Sequence, residues 1–141
     1  MRESYSYYPG CTSHSTAAEY IEACDEVLSA LDITINELPD WCCCGAASAH
    51  NLSKTLALGL SAFNISEAQK EKEDLLIPCA GCYNNLRRAD HALQNDPEER
   101  AALEELLGFT YSGEIRMLSI VDVLAREELR RAVRERVKKP L

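Results

Sequence analysis

The sequence predicts an α/β domain: a small, mostly parallel sheet of about four strands flanked by helices. Two observations predict it. Short β-prone runs alternate with helical patterns along the chain, and three of those runs end in a proline. The length of 141 residues suits one domain that can bury roughly two-thirds of its unfolded surface without cross-links.

The elements follow in order. Tyr5–Tyr8 is β-prone and stops at Pro9-Gly10-Cys11. Ile21, Cys24, Val27, Leu28 and Leu31 then recur at helical spacing and form an apolar stripe. Ile33–Leu38 alternates apolar and polar residues until Pro39-Asp40 ends it. A second helix is expected from Leu52 to Gln69, with Leu52, Leu56, Gly59/Leu60 and Phe63 on one face. Leu75–Ile77 is a short, wholly apolar strand ending at Pro78-Cys79, and a helix follows from Cys82. Asp96 is a good N-cap, Pro97 suits the first helical position, and Glu98 and Glu99 favour the positive end of the dipole. Gly108 closes that helix. A last strand is expected over Ile115–Leu118, and Ser119 with Asp122 resembles a capping box that opens the final helix.

Charge narrows the function classes. The net charge is −8, which argues against a nucleic-acid protein, because phosphate recognition needs basic surface. Arg126–Lys139 is the exception, with seven basic residues against three acidic ones. It is either a solvated helix face laced with ion pairs or a docking helix for a partner. The N-terminus has no apolar signal region, and no stretch approaches a membrane span, so a cytoplasmic protein is expected.

The 7 cysteines are the strongest signal. Their odd number leaves at least one thiol outside any disulfide scheme, and a reducing compartment favours metal or redox chemistry. Five fall in three groups: Cys11, Cys43-Cys44 before Gly45, and Cys79 with Cys82. Each group follows a strand and precedes a helix. In a parallel sheet the carboxyl ends of the strands form the binding edge, so the three groups should converge there. Helix N-termini would add positive potential, which favours thiolates and anionic ligands. Taken singly, the motifs also allow buried structural thiols, a zinc site, or a redox dithiol at Cys79/Cys82. Cys24 belongs to a helix stripe and should pack in the core. Cys42 lies outside the paired register and is expected to be a spare thiol.

The combined spacing Cx31CCGx33CxxC resembles the cysteine-rich CCG domain family. Tyr7-Tyr8-Pro9-Gly10-Cys11, Leu38-Pro39-Asp40-Trp41, Cys43-Cys44-Gly45-Ala46 with His50, and Pro78-Cys79-Ala80-Gly81-Cys82-Tyr83-Asn84 are similar to the B-type subunit of heterodisulfide reductase in its bacterial form. The resemblance covers essentially the whole chain. It implies a noncubane [4Fe-4S] cluster held by Cys11, Cys43, Cys44, Cys79 and Cys82, whereas a cubane or a zinc ion needs four ligands. It further implies electron transfer and, with a second CCG domain, disulfide reduction.

The family subunit has two CCG domains and this chain carries one motif, so residues 1–141 are expected to be a single domain, the N-terminal half of a catalytic unit. Alone it is not expected to reduce a disulfide unless a homodimer mate supplies the second half. Implied partners are the A-type heterodisulfide reductase subunit, which carries flavin and iron–sulfur groups, the C-type iron–sulfur subunit, and a disulfide substrate. The alternatives are a zinc-binding or metal-free assembly module, or the CCG subunit of a lactate, glycolate or glycerol 3-phosphate oxidising system. Around the cysteines, His14 and His50 are candidates for proton handling, with a helix-start or surface role as the plainer reading. His91 is expected to be solvated. Trp41 is expected to wall the cluster pocket, and Tyr83 and Asn84 to hydrogen-bond around it.

Overall fold

The computed structural model describes residues 3–139. Four β-prone segments become β1 (Glu3–Tyr7), β2 (Ile33–Glu37), β3 (Leu75–Ile77) and β4 (Met117–Ser119). The helices are α1 (Ala18–Ala30), α2 (Ser48–Leu52), α3 (Lys54–Glu71), α4 (Ala80–Asn95), α5 (Pro97–Leu107), α6 (Ile120–Leu124) and α7 (Glu127–Arg136). The sheet is parallel throughout, in the order β2-β1-β3-β4. The chain steps outward from β1 to β2, then crosses back over β1 to lay down β3. Strand order therefore reverses between β1 and β3, and a crevice opens there at the carboxyl ends.

Alternation along each strand divides the core into two faces. Tyr5, Tyr7 and Leu76 pack with Leu28 of α1 and Val123 of α6. Tyr8, Leu75 and Ile77 pack with Ile65 of α3 and Leu86 of α4. Buried tyrosines need partners for their hydroxyls. Tyr7 Oη donates to Asp25 at 2.9 Å, and Tyr8 Oη donates to the Cys42 carbonyl at 2.8 Å.

Local signals set the helix ends. Asp96 accepts from the Glu99 amide at 3.0 Å with Pro97 at the first position, and Gly108 ends α5 at φ +66°. Ser119 and Asp122 form the capping box: the Ser119 amide donates to Asp122 at 2.8 Å and the Asp122 amide to Ser119 Oγ at 3.1 Å.

Several expectations need correction. The helix expected over Leu52–Gln69 is two helices, broken at Ser53, whose extended backbone (φ −162°) and hydroxyl cap α3. Its inward face is also different. Leu52 is 77% exposed and Leu56 41% exposed, while Ala57, Leu58, Ser61, Ala62 and Ile65 are buried. Small residues let α3 lie close to α4, and Leu56, Leu60 and Phe63 turn toward Leu106 and Leu107 of α5, lining an apolar cavity of about 680 Å³. Val27 is 42% exposed and lies off the buried stripe of α1. The expected final helix stops after one turn and restarts as α7. β3 has its expected bounds and β2 its expected start; the other strand ends lie one or two residues from expectation.

The basic segment is partly absorbed by the fold. Arg126 pairs with Glu3 at 3.1 Å and Arg136 with Asp32 at 2.8 Å, and Leu129 is buried, so α7 is fastened beside β1 and β2. Among the described residues no helix is long and apolar enough to cross a membrane.

Candidate functional site

Cys11 lies in the turn after β1. That turn begins at Gly10 (φ +83°), where a Cβ would stand 3.1 Å from Cys82 Sγ. Glycine is thus required both by the left-handed backbone and by the approach of the thiol. Ser13 Oγ donates to the Gly10 carbonyl at 2.7 Å and ties the turn down. Cys43 and Cys44 follow β2, and the Gly45 amide donates to Cys43 Sγ at 3.4 Å. Cys79 follows β3 and caps α4 with its own sulfur, which accepts from the Cys82 amide at 3.4 Å. The helix therefore begins at Ala80, two residues before the expected start.

The three groups meet. Cys44 Sγ and Cys82 Sγ are 3.5 Å apart and share a hydrogen bond. Cys11, Cys44, Cys79 and Cys82 line one cavity of about 390 Å³, together with His50 and Asn85. Cys43 lies near Cys11 beside the cavity. Cys44 and Cys82 are buried, while Cys11 is exposed at the rim. No three His, Cys, Asp or Glu side chains among the described residues close round a single point; the thiols are spread around a space larger than one ion needs.

Cys44 is held as a thiolate, its pKa lowered to about 5. The hydrogen bond with Cys82 is the largest cause, opposed by burial and supported by Asn85 and backbone amides. The same negative charge pushes the Cys82 thiol far up, so the pair keeps one proton between them. Cys11 is raised by its bond to Cys43 and by burial.

Asn85 is a site residue that the sequence reading missed. Its Nδ2 donates to Cys44 Sγ at 3.4 Å and to the Ala46 carbonyl at 3.1 Å, and its Oδ1 lies 3.1 Å from His50 Nε2. The signal was present, because Asn85 stands three residues after Cys82 on the same helix face. Asn84, expected in that role, lines the cavity instead, and Tyr83 packs against the core and toward Asp122. His50 reaches the cavity, whereas His14 and His91 are exposed away from it. Trp41 does not wall the cavity. Its ring meets Tyr8 edge-on at 5.4 Å and its Nε1 donates to Glu37 at 2.8 Å. Cys24 is in the core as expected. Cys42 points elsewhere: its thiol donates toward the Leu60 carbonyl at 3.7 Å, in the apolar cavity.

The donor set fits a multi-atom iron–sulfur cluster. Five thiols come from three strand ends, hydrogen bonds from Cys82 and Asn85 favour the thiolate of Cys44, and the N-terminus of α4 adds positive potential.

Comparison with known proteins agrees with this chemistry. Residues 5–87 match the family described as CCG, cysteine-rich domain. The chain is 29% identical over its whole length to 49% of the 8-methylmenaquinol:fumarate reductase membrane anchor subunit of Wolinella succinogenes. It is 29% identical, over 86% of its length, to 42% of the B-type subunit of the ferredoxin/F(420)H(2)-dependent CoB-CoM heterodisulfide reductase of Methanosarcina acetivorans. It is 28% identical, over 96% of its length, to 47% of the B-type subunit of the ferredoxin:CoB-CoM heterodisulfide reductase of Methanosarcina mazei. The chain thus spans about half the length of these relatives. Among solved structures, a hypothetical protein from Helicobacter pylori shares the fold at a TM-score of 0.74 and 18% identity, covering 86% of this chain and 25% of that one.

Proposed function

The chain belongs to the family of cysteine-rich CCG domains, and from that premise we propose that it is an electron-transfer domain binding a noncubane [4Fe-4S] cluster through Cys11, Cys43, Cys44, Cys79 and Cys82. The observation that carries this reading is the gathering of Cys11, Cys44, Cys79 and Cys82 around one cavity, with Cys43 next to Cys44 in the chain and near Cys11. Related proteins named as subunits of heterodisulfide reductase and fumarate reductase support a redox role.

When bound, the cluster supplies single electrons and a place for a substrate sulfur. The chain's own residues prepare the site. Cys44 offers a thiolate without a proton to lose, and Asn85 donates to that sulfur. Hydrogen bonds to cluster sulfurs raise reduction potentials, so Asn85 tunes as well as holds. Tyr8 and the apolar core beneath exclude water from the inner side. His50 Nε2, bonded to Asn85 Oδ1, can hold or release a proton at the rim. In this reading a second CCG domain, in the same polypeptide or in a homodimer mate, faces the site and completes a disulfide reductase. The A-type and C-type subunits would deliver the electrons.

Anaerobically purified protein is expected to contain stoichiometric iron and acid-labile sulfide and to give a paramagnetic resonance signal in one oxidation state. Stoichiometric zinc without iron would overturn the reading. Replacing Asn85→Ala should leave the fold intact and lower cluster retention about 10- to 100-fold, the range for partners that orient metal ligands. Iron release to a chelator measures it, and unchanged release would remove Asn85 from the site.

A further inference from the structure

The helices on one side of the sheet carry two stripes of opposite charge. On α1, Glu19, Glu22 and Glu26 recur at spacings of three and four, away from the buried Ile21, Cys24 and Leu28. On α7, Arg131 and Arg134 stand on the side away from buried Leu129. All five charged residues are exposed, and none has an ion pair among the described residues. The other α7 arginines are occupied: Arg130 reaches Glu127 at 3.7 Å and Arg136 holds Asp32.

The two helices share a layer. Leu28 of α1 and Leu129 of α7 belong to one core cluster. Leu31 and Asp32, just after α1, line a cavity of about 210 Å³ with Leu129, Ala132 and Arg136, so the helices adjoin. Their charged stripes nevertheless do not meet within one copy. A negative and a positive stripe side by side are self-complementary under a twofold rotation, because each helix then finds its opposite on the other copy. The glutamates of α5 lack this relation, since Leu103 turns that helix toward the opposite core. Apolar surface accompanies the charge: Val27 of α1 is 42% exposed, Val121 of α6 68% and Val133 of α7 37%. Lipid is a poorer occupant, because Leu129 and Ala132, the apolar face of α7, are already packed in the fold.

We propose that two copies of this chain associate through this layer, Arg131 and Arg134 of each lying against Glu19, Glu22 and Glu26 of the other. The contact does not depend on what the thiol cavity holds. Iron content therefore reports on the cluster reading and sedimentation on this one.

The test is sedimentation equilibrium of the full chain and of charge-reversed variants, with circular dichroism to confirm the fold. Wild type should form a reversible dimer that tightens from about 1 M to about 0.1 M salt, as the screening length grows from about 3 to about 10 Å. Glu22→Lys with Glu26→Lys should weaken it at least about tenfold, and so should Arg131→Glu with Arg134→Glu. Arg131→Gln with Arg134→Gln keeps the helix propensity of α7 and should fall between wild type and the reversal. Mixing the two reversed proteins should restore the dimer, because both contacts of the mixed pair are again attractive. A chain that stays monomeric at every salt concentration, including one that instead sediments with phosphatidylserine vesicles, would overturn the proposal. So would a dimer indifferent to the neutral pair, or reversed variants that keep their fold and do not recover on mixing.

Discussion

Cys44→Ala is expected to abolish cluster binding, while Cys42→Ser, two positions earlier in the chain, leaves iron and sulfide at the wild-type level. The two thiols differ in where the backbone aims them. Asn64 brackets Cys42 by accepting from its amide at 2.9 Å and donating to its carbonyl at 2.9 Å, and Tyr8 donates to the same carbonyl at 2.8 Å. Cys42 is therefore fixed with its sulfur toward Leu60, on the α3 side. Re-aiming its backbone toward the cavity would break three part-buried hydrogen bonds, each worth about 1 kcal/mol net. Cys44 faces Cys82 and Asn85 and carries the negative charge that a metal ligand needs. The measurement is iron and sulfide per chain after anaerobic reconstitution, with circular dichroism to confirm the fold. A cluster retained in Cys44→Ala, or lost in Cys42→Ser, would mean that the ligand register is wrong.

Much of this arrangement was legible in the sequence because chemistry and punctuation coincide. Pro9, Pro39 and Pro78 each follow a strand, and cysteines stand close behind them, so a parallel sheet brings the thiols to one edge. Asp96, Gly108 and Ser119 are local signals, and each behaves as local physics requires. The inward face of α3 was not legible. Periodicity weights large apolar residues, yet the buried face of α3 includes Ala57, Ser61, Ala62 and Ala68, because its close approach to α4 needs small side chains. The displaced Leu56 and Phe63 serve the contact with α5, a tertiary fact that spacing alone does not carry. The Ser53 break was legible in principle, since a serine three residues before an apolar position is an N-cap signal. Asn85 was passed over in favour of its neighbour Asn84, a difference of one residue that turns a side chain about a quarter of the way round a helix.

Gly45→Ala should destabilise the domain by about 2–6 kcal/mol, a large share of the roughly 5–15 kcal/mol that holds a small domain together. Two costs combine. Gly45 has φ +86°, a left-handed backbone that strains an alanine by about 1–3 kcal/mol. The added Cβ would also stand 2.5 Å from Ala49 Cβ and 3.0 Å from Leu60 Cδ1, so α2 or α3 must shift, at a further cost of about 1–3 kcal/mol. Gly108→Ala isolates the first cost. Gly108 has φ +66° with nothing within 4 Å of an added Cβ, so it should lose only about 1 kcal/mol. Ala49→Gly isolates the second: combined with Gly45→Ala it removes the shorter contact, and the pair should be less destabilising than the sum of the single changes. The consequence reaches the site, because the Gly45 carbonyl accepts the Ala49 amide at 3.0 Å to launch α2, and the Gly45 amide donates to Cys43 Sγ. A shift there displaces Cys43 and Cys44 together, so cluster retention should fall along with stability. Urea denaturation of the four variants against wild type decides the matter. Should Gly45→Ala cost no more than Gly108→Ala, steric closure around Gly45 does not hold the paired cysteines in place, and only the left-handed turn does.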